Sequence, residues 1–474
     1  MNQSLFACAA AVLLLSVVAL IARTEWLNSV VIIACSLMTL ILLIAMARSC
    51  LHTARIGLLL FTAGVLASFW LGAWQCMSEC YIPRSDFILG ELGGSWKPGT
   101  IAMAVFYIAL FQCLGLVGYC LGPVHNGLSR LIRREDHRTP PFNNTFIVFL
   151  LISLMFFTLY IRHGGSISGL LSGLARSRIA LYEARDVGLL MNFVWLGYYG
   201  LALGIVSLIL TPGQRFSRLM LLPIVMAGML IVFADGTRHR MLYAFGSACL
   251  VLLHKGIRKN PRCLKLLMAT SLILIGVYQC QSLSRNIGWL NLLSHQWKDF
   301  VHVQGTDQFQ SLSYALELVP GRHEYFHTPA TLFFVTHWIP RRFWPAKPSQ
   351  PELEYLSTQW TGGANLQDMN VTPSIIGQYH MNWGVFGVAW IGFFMGWMFR
   401  CVDAILISLP FAGHNHSWVL MGMFVAFLIA SFRHFSPMYF MFLLFGLIIF
   451  IVCTRPSCHV APLGTGYRSP EAIQ

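Results

Sequence analysis

Ten basic residues stand in two long stretches between apolar segments. They are Arg162, Arg176, Arg178 and Arg185 in 162–187, and Arg285, Lys298, Arg322, Arg341, Arg342 and Lys347 in 281–383. Eight of the ten are arginine. A guanidinium is a planar fork that can meet a phosphate through two parallel hydrogen bonds, whereas a lysine ammonium acts as a point charge. The choice of residue predicts an anionic ligand, and a lipid pyrophosphate is the obvious candidate at a membrane surface. Two short basic turns extend the set: Asp235-Gly236-Thr237-Arg238-His239-Arg240 and Arg433-His434. Long loops escape the charge rule for membrane proteins, so plain solvation stands beside the functional reading for each of these cations.

Chemistry at such an anion needs a group that moves a proton. Glu183, Asp235, Asp368, His239 and His380 are the candidates, and the sequence does not choose among them. No D-x-D occurs in the two long stretches, where Glu352-Leu353-Glu354 is only a weak substitute. No zinc or haem spacing occurs among the 13 cysteines, so neither a metal nor a cofactor is expected.

The elements that must carry these residues are apolar. Hydrophobic residues make up 56% and charged residues 11%, with a mean hydropathy of +0.65, which excludes an ordinary soluble domain. The apolar runs are continuous rather than alternating, which excludes a β-barrel. The expected fold class is an all-α polytopic integral membrane protein. Twelve spans are expected, near 5–22, 29–46, 56–75, 100–121, 145–161, 188–210, 217–234, 241–254, 263–280, 384–399, 417–432 and 437–453, each long enough for most of a ~30 Å hydrocarbon core. The first is read as a retained helix, because it lacks a basic leader and a small-residue cleavage site.

Basic residues in the short loops set the orientation. Arg48, Arg55, Arg130, Arg133, Arg134, Arg138, Arg215, Arg218, Lys255, Arg258, Lys259, Arg262, Lys265, Arg400, Arg455 and Arg468 fall on one side. Only Arg23, Arg84, Lys97, Arg238, Arg240 and Arg433 fall in short loops on the other. Both termini are therefore expected in the cytoplasm, with 162–187 and 281–383 outside. About half of the +14 net charge is this topology signal, which removes the argument for nucleic-acid binding.

Within 162–187, Leu170, Leu171, Leu174, Ile179 and Leu181 can form one apolar face opposite Arg176, Arg178 and Arg185. The spacing predicts a short amphipathic helix in the membrane interface. The stretch 281–383 is rich in Trp, Tyr, Phe and Leu and is expected to form a lid. Its piece 326–345 is too polar-ended to span, and Pro340 and Pro345 bracket Arg341-Arg342 in extended geometry.

Several strings resemble the Wzy-type polymerases of oligosaccharide repeat units. Ile339-Pro340-Arg341-Arg342-Phe343-Trp344-Pro345-Ala346-Lys347-Pro348 is similar to one of that family's strings. Thr372-Pro373-Ser374-Ile375-Ile376-Gly377, leading to Asn382-Trp383-Gly384 and Gly387, is similar to another. Gly236-Thr237-Arg238 resembles a third, and Arg162 with Gly173 repeats an arginine–glycine spacing of the first loop. The same spacing fails in the second loop, where Arg285 meets Gln296. Gln378 stands where the resemblance leads one to expect glutamate.

The resemblance implies glycosyl transfer outside the membrane between undecaprenyl-pyrophosphate-linked oligosaccharides, with membrane lipid around the site and a chain-length regulator protein as a candidate partner. It implies catalytic roles for residues among Arg341, Arg238, Glu183, Asp368 and His380. It implies substrate binding by residues among Arg162, Gly173, Arg176, Arg178, Arg285, Arg342, Lys347, Arg433 and His434. Two rival readings remain: an O-antigen ligase-like enzyme using the same donor, and a transporter or flippase of an anionic solute.

Overall fold

A computed structural model of the chain describes residues 2–53, 55–77, 97–122, 194–210, 240–258, 307–327, 372–409, 415–433 and 437–455, with short pieces elsewhere that include 135–136, 352, 355–356 and 435. Among these, the helices are α1 (Asn2–Ala22), α2 (Glu25–Thr53), α3 (Ile56–Val65) and α4 (Leu71–Met77), the last two joined by a π turn at Leu66–Trp70. They continue with α5 (Pro98–Leu121), α6 (Val194–Leu210), α7 (Arg240–Arg258), α8 (Asp307–Leu318), α9 (Ser374–Ser408), α10 (Asn415–Ser431) and α11 (Pro437–Cys453). The protein is helical, and four helices are long and apolar enough to cross a membrane: Glu25–Ala47, Ile56–Trp74, Pro98–Leu121 and Ser374–Ile407. The expected spans at 145–161, 217–234 and 263–280 lie outside the described residues apart from isolated positions.

Two contacts define the ends of the bundle. At the upper end, Asn28 Nδ2 beside the α1–α2 junction donates to Pro98 O at 2.9 Å, at the start of α5. At the lower end, Glu135 pairs with Arg455 and Asp136 with Thr454 in a two-residue antiparallel bridge. That bridge brings the chain after α5 and the chain after α11 to the same end, in keeping with the expected topology. Midway, Gln112 ties three elements together, accepting from Trp70 Nε1 at 2.9 Å and donating to Thr39 Oγ1 at 3.1 Å. A buried amide satisfied on both sides fixes helix register without leaving an orphan polar group.

Helix α9 runs parallel to α5 along most of its length. Gly392 lies against the backbone of Phe111, and Gly396 against the backbone of Gly115. Without side chains at these positions the two backbones touch, which is how helices gain packing where lipid supplies no hydrophobic drive.

The first ten residues of α9 do not continue that line. Gly384 has φ 59° and ψ −142°, outside helical geometry. Gly387 packs against Tyr379 O, although a straight helix would separate residues eight apart by about 12 Å. Phe432 makes the reversal plainer. Its carbonyl accepts from Ile375 N–H at 3.2 Å, while its ring lies 6.2 Å from that of Phe399. Residues 375 and 399 would stand roughly 36 Å apart on one straight helix. The arm 374–383 therefore folds back beside 385–408, and its N-terminus reaches down to the level of Phe111, whose ring is 6.1 Å from that of Phe432. Only 385–407 has the length and direction of a span, so the apolar length of Ser374–Ile407 overstates the crossing.

The expected loop 281–383 thus ends in a buried half-helix rather than running free to residue 383. Its α8 packs on the upper parts of α4, α5 and α9, with Thr100 Oγ1 donating to Glu317 Oε1 at 2.9 Å. Beyond α8, Phe326 N–H and His327 N–H donate to Met381 O and Asn382 O at 3.0 and 3.2 Å. These are carbonyls that the break at Gly384 leaves without helical partners.

Candidate functional site

The foot of the half-helix meets the turn between α10 and α11. Ser374 adopts a left-handed φ of 60°, and its Oγ accepts from Gly377 N–H at 3.1 Å. The side chain thereby satisfies one of the amides that a first helical turn leaves open. Phe432 is buried among Phe61, Phe69, Phe111 and Phe399, with ring centroids 6.1–6.4 Å away, and anchors the turn from below.

Arg433 follows it. Its Nε–H donates to Thr372 Oγ1 at 3.1 Å, and among the described residues this is its guanidinium's one hydrogen bond. The side chain is half-buried, so the fork is oriented at one nitrogen, and its two terminal nitrogens have no hydrogen-bond partner among the described residues. It sits beside the N-terminus of a half-helix, which carries roughly half a positive charge. Both features favour an anion.

A buried amide–carboxylate pair lies next to this turn. Gln378, fully buried, accepts from Phe435 N–H at 2.9 Å. Its Nε2 donates to Glu352 Oε1 at 3.2 Å and to Phe435 O at 3.5 Å. Glu352 is 1% exposed, and it brings a carboxylate from the second long loop into the helical bundle. Tyr379, whose ring is edge-on to Phe435 at 6.4 Å, keeps its hydroxyl buried without a hydrogen-bond partner among the described residues.

His380 occupies the opposite flank of the half-helix. Its Nε2 lies 2.8 Å from Val319 O. A carbonyl only accepts, so the neutral ring carries its proton on Nε2 and its lone pair on Nδ1. Nδ1 is buried with no partner among the described residues. The rings of Tyr107 and Tyr325 stand 5.1 and 5.8 Å away. Higher up, His323 stacks on Phe326 at 4.3 Å and meets Tyr355 at 4.7 Å. Burial pushes the Tyr355 hydroxyl above its ordinary pKa, opposed by the nearby Arg322 cation, so the phenol stays a donor at neutral pH.

The chain matches no family model, no curated protein and no solved structure.

Of the residues expected at the site, His380 lies on the half-helix and Arg433, 53 positions on in sequence, meets the foot of the same arm through Thr372. Arg341, Arg238, Glu183, Asp368, Arg162, Gly173, Arg176, Arg178, Arg285, Arg342, Lys347 and His434 lie outside the described residues, as does the expected interfacial helix in 162–187. Glu352, Gln378, Tyr379 and Thr372 join the site without having been singled out as site residues. A signal existed for two of them: a carboxylate in an aromatic stretch, and an amide where glutamate was expected.

Proposed function

We propose that the chain polymerises undecaprenyl-pyrophosphate-linked oligosaccharide repeat units into a surface polysaccharide. In this reading it has about twelve spans, both termini are cytoplasmic, and the upper end of the bundle faces the periplasm of a bacterial inner membrane. The observation that carries the reading is Arg433. It is held by Thr372 at the foot of the half-helix that bears the Thr372-Pro373-Ser374 string, with the buried His380 Nδ1 on the same arm without a partner among the described residues. A hydroxyl of the acceptor repeat unit attacks the anomeric carbon of the donor glycan. The new C–O bond forms as the bond to pyrophosphate breaks, and lipid pyrophosphate leaves with the electron pair. The hydroxyl proton passes to His380 Nδ1, and Arg433 with loop arginines such as Arg341 and Arg342 neutralises the leaving group.

A specific observation also favours an anion transporter. Half-helices whose N-termini end inside a bundle are the means by which many carriers hold anionic solutes. Deleting the gene and resolving the surface polysaccharide on a gel separates the readings. Loss of long chains, with one repeat unit left on the lipid core, supports the polymerase. A core with no repeat unit points to the ligase-like reading, and an unchanged polysaccharide to a carrier.

A further inference from the structure

Resting on that reading, we propose that Glu352 and Gln378 are positioning residues that hold the Arg433 guanidinium at the leaving pyrophosphate. Gln378 grips Phe435 at both backbone atoms, its Oε1 taking the N–H at 2.9 Å and its Nε2 reaching the carbonyl at 3.5 Å. Phe435 is two residues from Arg433. On the other side of Arg433, Phe432 O holds the Ile375 N–H. The turn is therefore clamped to the half-helix before and after the arginine, with the Arg433–Thr372 bond between the two clamps.

A glutamine at 378 can make this grip because one end accepts and the other donates. Which end points at Phe435 N–H is set by Glu352, whose carboxylate only accepts and so calls for the amide nitrogen. The pair is complementary as a unit, one carboxylate and one amide. Two carboxylates at 3.2 Å would repel, and two amides would lose the charge-assisted bond that fixes the flip. Burial of both side chains raises the cost of a mismatch, because no water replaces a lost partner. The site thus draws a carboxylate from the second long loop to align a cation between the last two helices.

The test uses isosteric exchanges in the full-length protein, expressed in a strain whose own copy is deleted, with chain length read on a gel and protein level on a blot. Glu352→Gln and Gln378→Glu are each expected to cut long chains about tenfold at unchanged protein level. The double exchange restores the carboxylate–amide bond and keeps an acceptor for Phe435 N–H, but leaves Phe435 O without its donor, so it is expected to recover part of the polymer lost in either single exchange. Glu352→Gln combined with Arg433→Gln is expected to be no worse than Arg433→Gln alone, because the first acts only through the second. Normal polymer in Glu352→Gln, a double exchange as defective as the singles, or losses that multiply with Arg433→Gln would each overturn the proposal. If a single exchange lowers protein level instead, purified protein reconstituted at equal amounts is compared by KM for lipid-linked repeat units. A raised KM that the double exchange partly lowers supports positioning, and an unchanged KM overturns it. A polysaccharide unaffected by deleting the gene would remove the polymerase reading itself.

Discussion

Two of the polar junctions that helix α9 makes with the rest of the bundle are built on opposite principles. At the lower junction Asp403, fully buried, accepts from Gly57 N–H at 2.6 Å and from the Tyr119 hydroxyl. The carboxylate caps the first turn of α3 from a segment 346 residues away in sequence, and the Arg400 guanidinium lies 5.4 Å over the Tyr119 ring. Both Asp403 oxygens are occupied, although Arg400 Nε beside them is buried without a partner among the described residues. At the upper junction, His380 Nδ1 and the Tyr379 hydroxyl are buried without partners among the described residues, and Arg433 is tied by one nitrogen. Unspent bonding capacity costs stability wherever it is buried. The contrast is between a carboxylate whose two oxygens tie α9 to α3 and α5, and a junction with groups to spare, which the proposed function assigns to a ligand.

The largest effect should come from breaking the lower junction. Asp403→Ala leaves the Gly57 amide and the Tyr119 hydroxyl without their acceptor, a loss on the order of 3 kcal/mol. Protein recovered from membranes should fall sharply, while whatever remains makes chains of normal length distribution. Normal yield with shortened chains would reverse the roles of the two junctions.

Arg433→Gln should leave the yield intact and reduce long chains by roughly ten- to a hundredfold, the cost of one charge-assisted phosphate contact. Arg433→Lys should stay impaired, because the charge is kept and the fork is not. A fully active lysine variant would show that this cation acts as a point charge or not at all.

Gly384→Ala sharpens the comparison through shape rather than charge. Its φ of 59° is unfavourable for any side chain, and an added methyl would stand 3.2 Å from the Tyr325 hydroxyl. A cost of about 1–2 kcal/mol is expected, read as a lower thermal midpoint in detergent together with a loss of long chains. A lower midpoint with full activity would free the half-helix from any part in function. The smallest effect should follow Thr372→Val, which keeps the shape and removes the acceptor for Arg433 Nε–H. A few-fold loss of long chains is expected, about 1 kcal/mol, and an unchanged polymer would show that Arg433 is held by the turn alone.

Helix positions were legible wherever apolar residues ran without a break, as at 5–22, 29–46 and 100–121. Direction was not legible at 374–383. Hydropathy reports how far a segment could reach, and nothing in Ile375-Ile376-Gly377-Gln378-Tyr379-His380 tells a loop from an arm folded back on its neighbour. One glycine with positive φ decides it, and glycines are common in this chain. Thr372 and Arg433 stood in two separate strings of interest, yet their contact across 61 positions depends on that same reversal. Asp403 escaped notice for another reason. The expected span stops at 399, which places Arg400 among the inner-loop cations and leaves Asp403 beyond the span, whereas α9 continues to Ser408. A lone acid inside an apolar helix would have been conspicuous had the boundary been right.

The folded-back arm also has a consequence for how the protein is made. Residues 374–383 leave the ribosome before the 432–435 turn that receives them has been synthesised. Until α10 and that turn arrive, the foot of the arm, with Ile375 and Gln378, has no Phe432 carbonyl and no Phe435 amide to hold. A chain stopped after α9 would therefore carry every residue of the half-helix and still lack the place where it docks. Final assembly of this region is a late event, set by the last two helices.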